Sequence, residues 1–337
     1  MNESTPVFII GAQRSGTTLL RLLLGAHSEL AIPEEGTFWI PLFRRFGRHP
    51  EREIAGRELE RALAYVARNH QFKLWGIDPT PHFDPLRRHG RAHLDELIAG
   101  TYLVYAQIHG KRFWGEKSSV FFRMVPVISG VFPEARFIHM VRDGRDVYAS
   151  WKKMDPTKGN AAVTAAEWVY KIKKARRDLA ALGPDRALEV RYEALVSEPR
   201  ATLETVCRFL ELEFEPAMLD FWRSSPEHIG AHHSDLIFNP VTTKSVNKWK
   251  QDLSLREIKH FELLAGRELA ALGYDVPDRS GDWAGRLFGA WPALGFGLPL
   301  RAAQVAWTAI DLDFSSRFGR ATRAAGDGEP PPKRASG

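Results

Sequence analysis

The chain alternates between short apolar runs and longer amphipathic stretches. Pro6–Ile10 and Ala135–Val141 are the strongest apolar runs, and Arg112–Glu116 and Ala187–Arg191 are weaker ones. Such runs are typical of buried strands in a parallel sheet. Residues at helical spacing predict helices over Gly16–Ala26, Glu51–Asn69, His93–Ile108, Val120–Gly130, Gly144–Lys152 and Ala161–Leu182. Strands that alternate with helices indicate an α/β fold with a central parallel sheet.

The C-terminal part of the chain changes character. Ser254 and Glu257 form a capping box that predicts the start of another helix, and Gly273 is placed to cap its end. Turn-forming residues at 275–282 mark a boundary, so we expect one domain over residues 1–282. Residues 283–320 form an apolar and amphipathic extension. Within it, 287–314 is expected to pack on the domain, to form a dimer contact or to lie on a membrane surface. The polar, Pro/Gly-rich tail 321–337 is expected to be disordered.

Composition limits the classes of ligand and location. The 337 residues carry a formal net charge of +6, with a pI of about 9.4, which favours anionic ligands. No long Lys/Arg run or aromatic-basic array points to nucleic acid, so none is expected as a partner. Cys207 is the only cysteine, which excludes an internal disulfide and a cysteine-based zinc site. The expected location is the cytoplasm, either free or peripheral to a membrane, because neither a membrane span nor a signal peptide is apparent.

A glycine-rich loop follows the first predicted strand. Residues 11–18 read Gly-Ala-Gln-Arg-Ser-Gly-Thr-Thr, and Gly11 and Gly16 match the frame G-x-x-x-x-G-K-[ST] of a phosphate-binding loop. Thr17 stands where that frame has lysine, and Thr18 keeps the hydroxyl. A strand followed by a glycine turn and a helix places backbone amides and the helix N-terminus where they can bind an anion. The missing lysine indicates a ligand other than a nucleoside triphosphate, although a βα turn that binds nothing gives the same pattern.

A second candidate anion site follows the strand that ends at Val141. Arg142 comes directly after that strand, and Ser150 lies two helical turns further on. An arginine and a serine on one βα unit can hold a phosphate through a charged fork and a hydroxyl donor. A surface network of Asp and Arg is the alternative. Together the two sites describe a nucleotide that is phosphorylated at two positions.

With these motifs in place, the sequence resembles sulfotransferases that use 3′-phosphoadenosine 5′-phosphosulfate (PAPS) as the donor. The resemblance spans most of residues 6–275, and its motifs are Phe8–Leu20, Trp114–Lys117, Arg136–Asp146 and Arg191–Val196. It implies a P-loop-like three-layer α/β sandwich with a central parallel sheet flanked by helices. It also implies transfer without a metal. The residues that it assigns to the 5′-phosphosulfate are Arg14, Ser15, Gly16, Thr17 and Thr18.

The resemblance assigns the rest of the donor site and two catalytic residues. Arg142 and Ser150 would hold the 3′-phosphate, and Tyr192 would lie near the nucleotide. Lys117 is similar to the lysine that stabilises the leaving oxygen in the tyrosylprotein branch of the family. Asn247 occupies the position of a serine that helps to stabilise the transition state there.

The base is the residue that takes the proton of the acceptor hydroxyl. The cytosolic branch uses a histidine two residues after a lysine, but Ser119 stands there in this chain. The tyrosylprotein branch uses a glutamate in a Glu-Glu-Thr segment, and counting without gaps from Arg14 places it on Glu35. Glu34 is the alternative, and Gly36 departs from the threonine.

The sequence therefore predicts a sulfotransferase that moves a sulfuryl group from PAPS to a hydroxyl of a carbohydrate, lipid-linked or other small acceptor. A P-loop kinase-type phosphotransferase is the first alternative, but it needs a lysine at position 17 and carboxylates for Mg²⁺. A non-catalytic nucleotide-binding protein is the second alternative.

Overall fold

The computed structural model describes residues 5–154, 160–223 and 238–277. A five-stranded sheet lies at its centre, with the strand order β2-β5-β1-β6-β7 and parallel pairing throughout. Its strands are β1 (Val7–Gly11), β2 (Leu30–Ala31), β5 (Phe113–Lys117), β6 (Arg136–Val141) and β7 (Ala187–Arg191). A separate antiparallel pair is formed by β3 (Ile54–Ala55) and β4 (Arg91–Ala92).

Helices connect these strands. They are α1 (Thr17–Gly25), α2 (Ile40–Phe46), α3 (Gly56–Ala67), α4 (Gln71–Trp75), α5 (Thr80–His89), α6 (Leu94–Ile108), α7 (Val125–Val131), α8 (Gly144–Met154), α9 (Ala161–Ala180), α10 (Tyr192–Ser197), α11 (Pro199–Leu210), α12 (Trp249–Asp252) and α13 (Leu255–Ala271). Short 3-10 segments lie at Thr37–Trp39, Phe121–Arg123 and Pro216–Arg223.

The sheet is covered on both faces, which gives three layers. Side chains alternate between the faces of a strand, so Phe8 and Ile10 of β1 belong to one core and Val7 and Ile9 to another. The first core is rich in aromatic rings, including Trp114, which stands edge-on to Phe8. The second core contains the leucines of α1 and the apolar face of α11. This confirms the predicted α/β fold with a central parallel sheet flanked by helices.

The four predicted strands form within one residue of their expected ends, but the region between residues 40 and 92 differs from the prediction. The single helix predicted over Glu51–Asn69 is wrong in its first turn, because Ile54 and Ala55 pair with β4 and the helix starts only at Gly56. Gly56 has a φ of 54°, which a continuous helix does not allow. The helices α2, α4 and α5 were not predicted.

The helix predicted over Val120–Gly130 is divided into a 3-10 turn and α7. Pro126 stands in the first turn of α7, where its missing amide hydrogen costs nothing, so a new helix begins there.

At the C-terminal end of the described residues, the capping predictions are confirmed. The Ser254 hydroxyl accepts a hydrogen bond from the Glu257 amide, and the Glu257 carboxylate accepts one from the Ser254 amide. Gly273 has a φ of 75° and ends α13. The extension 283–320, its segment 287–314 and the tail 321–337 lie outside the described residues. No helix in the described ranges is both long and apolar enough to cross a membrane.

Candidate functional site

The predicted site residues meet at the carboxyl edge of the central sheet. The glycine loop follows β1, Lys117 ends β5, Arg142 follows β6 and Tyr192 follows β7. Parallel strands end at the same edge of a sheet, and ligands of open α/β sheets bind outside this edge. Motifs that are far apart in the sequence are thus gathered in one place.

The glycine loop is tightly packed from behind. Gly16 precedes α1 with a φ of 92°, and a Cβ atom there would lie 2.4 Å from Cδ2 of Tyr192. Ser15 is buried, and its hydroxyl donates to the Ala12 carbonyl at 2.5 Å. Thr17 is buried and Thr18 half-buried in the first turn of α1. The loop therefore presents backbone amides and a helix N-terminus, the usual partners of a phosphate.

Two arginines share the space beside the loop. Arg142 donates to the Arg14 carbonyl at 2.9 Å and to the Ser245 carbonyl at 2.6 Å, and its guanidinium lies 4.3 Å from the centre of the Tyr192 ring. Nε of Arg142 is buried and has no hydrogen-bond partner among the described residues. Nε of Arg14 donates to the Ser150 hydroxyl at 2.9 Å.

The electrostatics of this arginine pair favour an anion. Burial, and then the charge of Arg142, lower the pKa of Arg14. Asp146 is the nearest described carboxylate to Arg142, at 4.0 Å. Two adjacent guanidinium groups are stabilised by a bound anion, because like charges at close range repel. The predicted residues Arg142 and Ser150 thus both adjoin Arg14.

The predicted base and the predicted lysine are in direct contact. Nζ of Lys117 donates to Oε1 of Glu35 at 2.6 Å. Only 6% of the Lys117 side chain is exposed, against 32% for Glu35, so the lysine is buried and the carboxylate faces the open side. Glu34 pairs instead with Arg21, with Oε1 at 3.9 Å from Nη2 of Arg21. The geometry therefore favours Glu35 over Glu34 as the partner of Lys117.

The peptide that joins Glu35 to Gly36 is held on both sides by side chains. The Gly36 amide donates to Oε1 of Glu116 at 2.9 Å, and the Gln71 side-chain amide donates to the Glu35 carbonyl. Glu116 also accepts a hydrogen bond from the Tyr102 hydroxyl. Burial raises the pKa of Glu116 to about 8, although these two hydrogen bonds act in the opposite direction.

Sequence reasoning missed Glu116, Gln71 and Tyr102. The one signal in the sequence was Glu116 itself, the glutamate of the Trp-Gly-Glu-Lys motif. A carboxyl group in a buried strand needs hydrogen-bond partners to be stable, so partners for it were to be expected.

Asn247 lies on the other side of the site. Its backbone, with a φ of 57°, donates to Oδ2 of Asp146 at 2.9 Å, and its side chain is exposed. The Trp249 amide donates to the second oxygen of Asp146 at 2.8 Å. Within the part of the chain that the structure describes, no hydrogen bond joins Asn247 to Glu35 or Lys117. Its catalytic role stays a prediction.

A cavity of about 290 Å³ opens between α1, the end of α6 and β2. Its polar lining comes from Arg21, Tyr105, His109 and Lys111, and apolar residues such as Ile32 and Phe221 complete it. Arg21 is almost fully buried, and burial lowers its pKa. The cavity therefore combines an apolar body with cationic groups at one side.

No group of three or more His, Cys, Asp and Glu side chains in residues 5–154, 160–223 and 238–277 is arranged to hold a metal ion.

Several known proteins are similar to this chain in sequence or in fold. The model of the sulfotransferase family matches residues 6–216, more than half of the chain. Protein-tyrosine sulfotransferase 1 of Danio rerio is 27% identical over 287 residues, which cover 81% of this chain and 74% of that protein. Nodulation protein NoeE of Sinorhizobium fredii is 26% identical over 295 residues, which cover 80% of this chain and 65% of that protein.

A solved structure with a similar fold is the sulfotransferase domain from the curacin biosynthetic pathway. The TM-score is 0.58 at 21% sequence identity, and the match covers 82% of this chain and 100% of that domain.

Proposed function

The chain belongs to the sulfotransferase family, and we propose that it transfers a sulfuryl group from PAPS to the hydroxyl of an acceptor. The observation that carries this proposal is the contact between Lys117 and Glu35 at the edge where the glycine loop and the arginine pair lie. Besides donor binding, sulfuryl transfer needs two groups. One is a cation that stabilises the leaving oxygen, and the other is a carboxylate that accepts the proton of the acceptor hydroxyl.

The donor side of the proposal rests on two anion-binding groups. The glycine loop over residues 14–18 and the N-terminus of α1 are suited to the 5′-phosphosulfate. The buried Nε of Arg142, without a partner in the described residues, and the hydroxyl of Ser150 are suited to the 3′-phosphate. Arg14 lies between them and can contact either end. The ring of Tyr192 closes the back of the site.

The reaction follows from these positions. PAPS supplies the sulfuryl group. The Glu35 carboxylate accepts the hydroxyl proton of the acceptor as the new oxygen–sulfur bond forms in line with the breaking one. The Lys117 ammonium stabilises the charge that develops on the leaving phosphate oxygen. Lys117 takes this role although position 17 is a threonine, because it comes from β5 and not from the loop.

The acceptor is proposed to reach Glu35 from the cavity beside Arg21. Protein-tyrosine sulfotransferase is the name of one relative, so a phenolic hydroxyl is the first acceptor class to test. Carbohydrate and lipid-linked hydroxyls are the next classes.

Calorimetry with two nucleotides tests the donor. We expect the protein to bind 3′,5′-adenosine bisphosphate, and Arg142→Ala to weaken this binding at least tenfold, because a charged hydrogen bond is worth about 1.5–3 kcal/mol. Preference for ATP with Mg²⁺ would instead support a kinase-type phosphotransferase. Turnover with PAPS and a panel of acceptors should be lost in Glu35→Ala and Lys117→Ala while bisphosphate still binds to the Glu35 variant. Turnover that survives both substitutions contradicts the catalytic assignments.

A further inference from the structure

The turn that carries the proposed base has little backbone structure of its own. Glu34, Glu35 and Gly36 lie between β2 and a 3-10 turn, and they belong to neither a helix nor a strand. A catalytic carboxylate must be held within a fraction of an ångström to be effective. Something outside the turn must therefore fix the backbone of Glu35.

Both polar atoms of the Glu35–Gly36 peptide are bonded to side chains from other elements. Its N–H donates to Oε1 of Glu116 at 2.9 Å, and its carbonyl accepts from the side-chain amide of Gln71. Glu116 comes from β5, one residue before Lys117, and Gln71 is the first residue of α4. A peptide that is held at both ends has a fixed plane, and the side chain of Glu35 leaves from that plane.

The anchor on the β5 side is rigid. Glu116 is 1% exposed, and its second oxygen accepts the Tyr102 hydroxyl, which in turn accepts Nε1 of Trp39 at 3.0 Å. The Tyr102 ring stacks on Trp114 with 4.6 Å between the ring centres. Gly36 fits closely, because a Cβ atom there would lie 2.3 Å from the Tyr102 hydroxyl. This accounts for glycine at the position where the family pattern has threonine.

We propose that Glu116 and Gln71 are positioning residues that clamp the Glu35–Gly36 peptide and thereby aim the Glu35 carboxylate at Lys117 and the acceptor. This inference rests on the proposed role of Glu35 as the base. Glu116 touches neither donor nor acceptor in this arrangement. Its carboxyl group acts through the backbone of the turn, and its neighbour in sequence, Lys117, acts on the leaving oxygen.

Four variants test the clamp, with kcat, the KM for PAPS and the affinity for 3′,5′-adenosine bisphosphate as readouts. Glu116→Ala removes the amide acceptor, and we expect kcat to fall about 100-fold with bisphosphate affinity unchanged. Glu116→Gln keeps an acceptor for the Gly36 amide, so kcat should stay within about fivefold of the parent. Gln71→Met removes the donor to the Glu35 carbonyl at a half-buried position, and kcat should fall about tenfold.

Tyr65→Phe is the matched control, because this hydroxyl borders the same aromatic core but donates to the Phe38 carbonyl at 3.3 Å. It should change kcat less than twofold. If Glu116→Ala does not fold, Glu116→Gln and Gln71→Met still decide the matter.

The outcomes separate the clamp from the proposed function. If Glu35→Ala abolishes turnover but Gln71→Met keeps kcat within twofold, the clamp is wrong and the base stands. If Glu35→Ala leaves turnover unchanged, the assignment of the base fails and the clamp falls with it. A loss of bisphosphate affinity in Gln71→Met equal to its loss of kcat would show a general structural defect and overturn the clamp as well.

Discussion

At Gly16 the glycine loop passes so close to Tyr192 that no side chain fits. The φ of 92° adds backbone strain for any other residue. We therefore expect Gly16→Ala to lower the free energy of unfolding by about 2–4 kcal/mol and to weaken bisphosphate binding at least tenfold. Chemical denaturation and calorimetry measure the two effects.

Gly25, the last residue of α1, is the matched control, because nothing lies within 4 Å of a Cβ atom built there. Gly25→Ala should raise the free energy of unfolding by about 0.5 kcal/mol and leave bisphosphate binding unchanged. Equal effects of the two substitutions would mean that the loop tolerates a side chain at Gly16.

At the scale of elements, one carboxylate attaches the segment before α13 to α8. Asp146 accepts the amides of Asn247 and Trp249, and Ser245 in the same segment accepts Arg142. Asp146→Ala leaves two amides without their acceptor, whereas Asp146→Asn keeps one. Both variants lose the charge near Arg142, so their difference isolates the hydrogen bonds. We expect bisphosphate affinity to be about tenfold lower in the alanine variant than in the asparagine variant, because one such bond is worth about 1–1.5 kcal/mol.

Asp252 provides the comparison on α12, where it pairs with the exposed Lys153 of α8. Asp252→Asn removes a surface ion pair between the same two elements and should change stability by less than about 1 kcal/mol, without an effect on bisphosphate affinity. Similar affinities of Asp146→Ala and Asp146→Asn would show that the segment does not depend on these bonds.

The elements that the sequence predicted best are those whose signal is local. β1, the glycine loop and β6 combine a short apolar run with a motif, and their neighbours in the sheet follow from parallel pairing. The roles of Lys117 and Glu35 were predicted only through the family resemblance, and their contact was not predicted. The residues next to Lys117 in the sequence do not indicate its contact with Glu35, because 82 positions separate the two residues.

Local sequence patterns could not predict the clamp, and the reason is physical. Glu116 is stabilised by groups 14 and 80 positions away, Tyr102 and Gly36, and Gln71 lies in a region whose helices were not predicted. Periodicity describes which face of an element is buried. It does not say which buried polar groups satisfy one another.

For the whole molecule, two buried acids among the described residues make stability depend on pH between about 4 and 8. Burial raises the pKa of Glu116 to about 8 and that of Asp146 to about 6. Each stays protonated in the folded protein at a pH where the unfolded chain has lost the proton. The unfolded state then binds fewer protons, so the free energy of unfolding falls as pH rises from about 4 to 8.

Above about pH 6, Glu116→Gln should remove most of the decrease in the free energy of unfolding. This decrease is on the order of a few kcal/mol. Charged groups that act on Glu116, namely Glu35, Lys117 and Arg21, remain in this variant. Thermal melts from about pH 2 to about pH 8.5 measure the slope, and a parallel slope above pH 6 in the parent and in Glu116→Gln would contradict the assignment.

Glu257 is the control for these melts. Burial raises its pKa, but hydrogen bonds from Lys152 and Ser254 outweigh this and bring it to about 2. The ionised Glu257 side chain stabilises the fold at pH values above the ordinary pKa of glutamate. This stabilisation is lost as the pH falls towards 2. Glu257→Gln should therefore change the acid side of the curve and leave the slope between pH 6 and 8 as it is.

The order of the central sheet also bears on self-association. In the described residues its two edges are β2, which is only two residues long, and β7, which carries Glu189 and Arg191. A short edge and a charged edge are poor templates for a strand from another copy, because pairing needs a long and uncharged row of free amides and carbonyls. The architecture that gathers the donor-binding residues on one edge thus also protects the sheet against growth into aggregates during folding at high concentration.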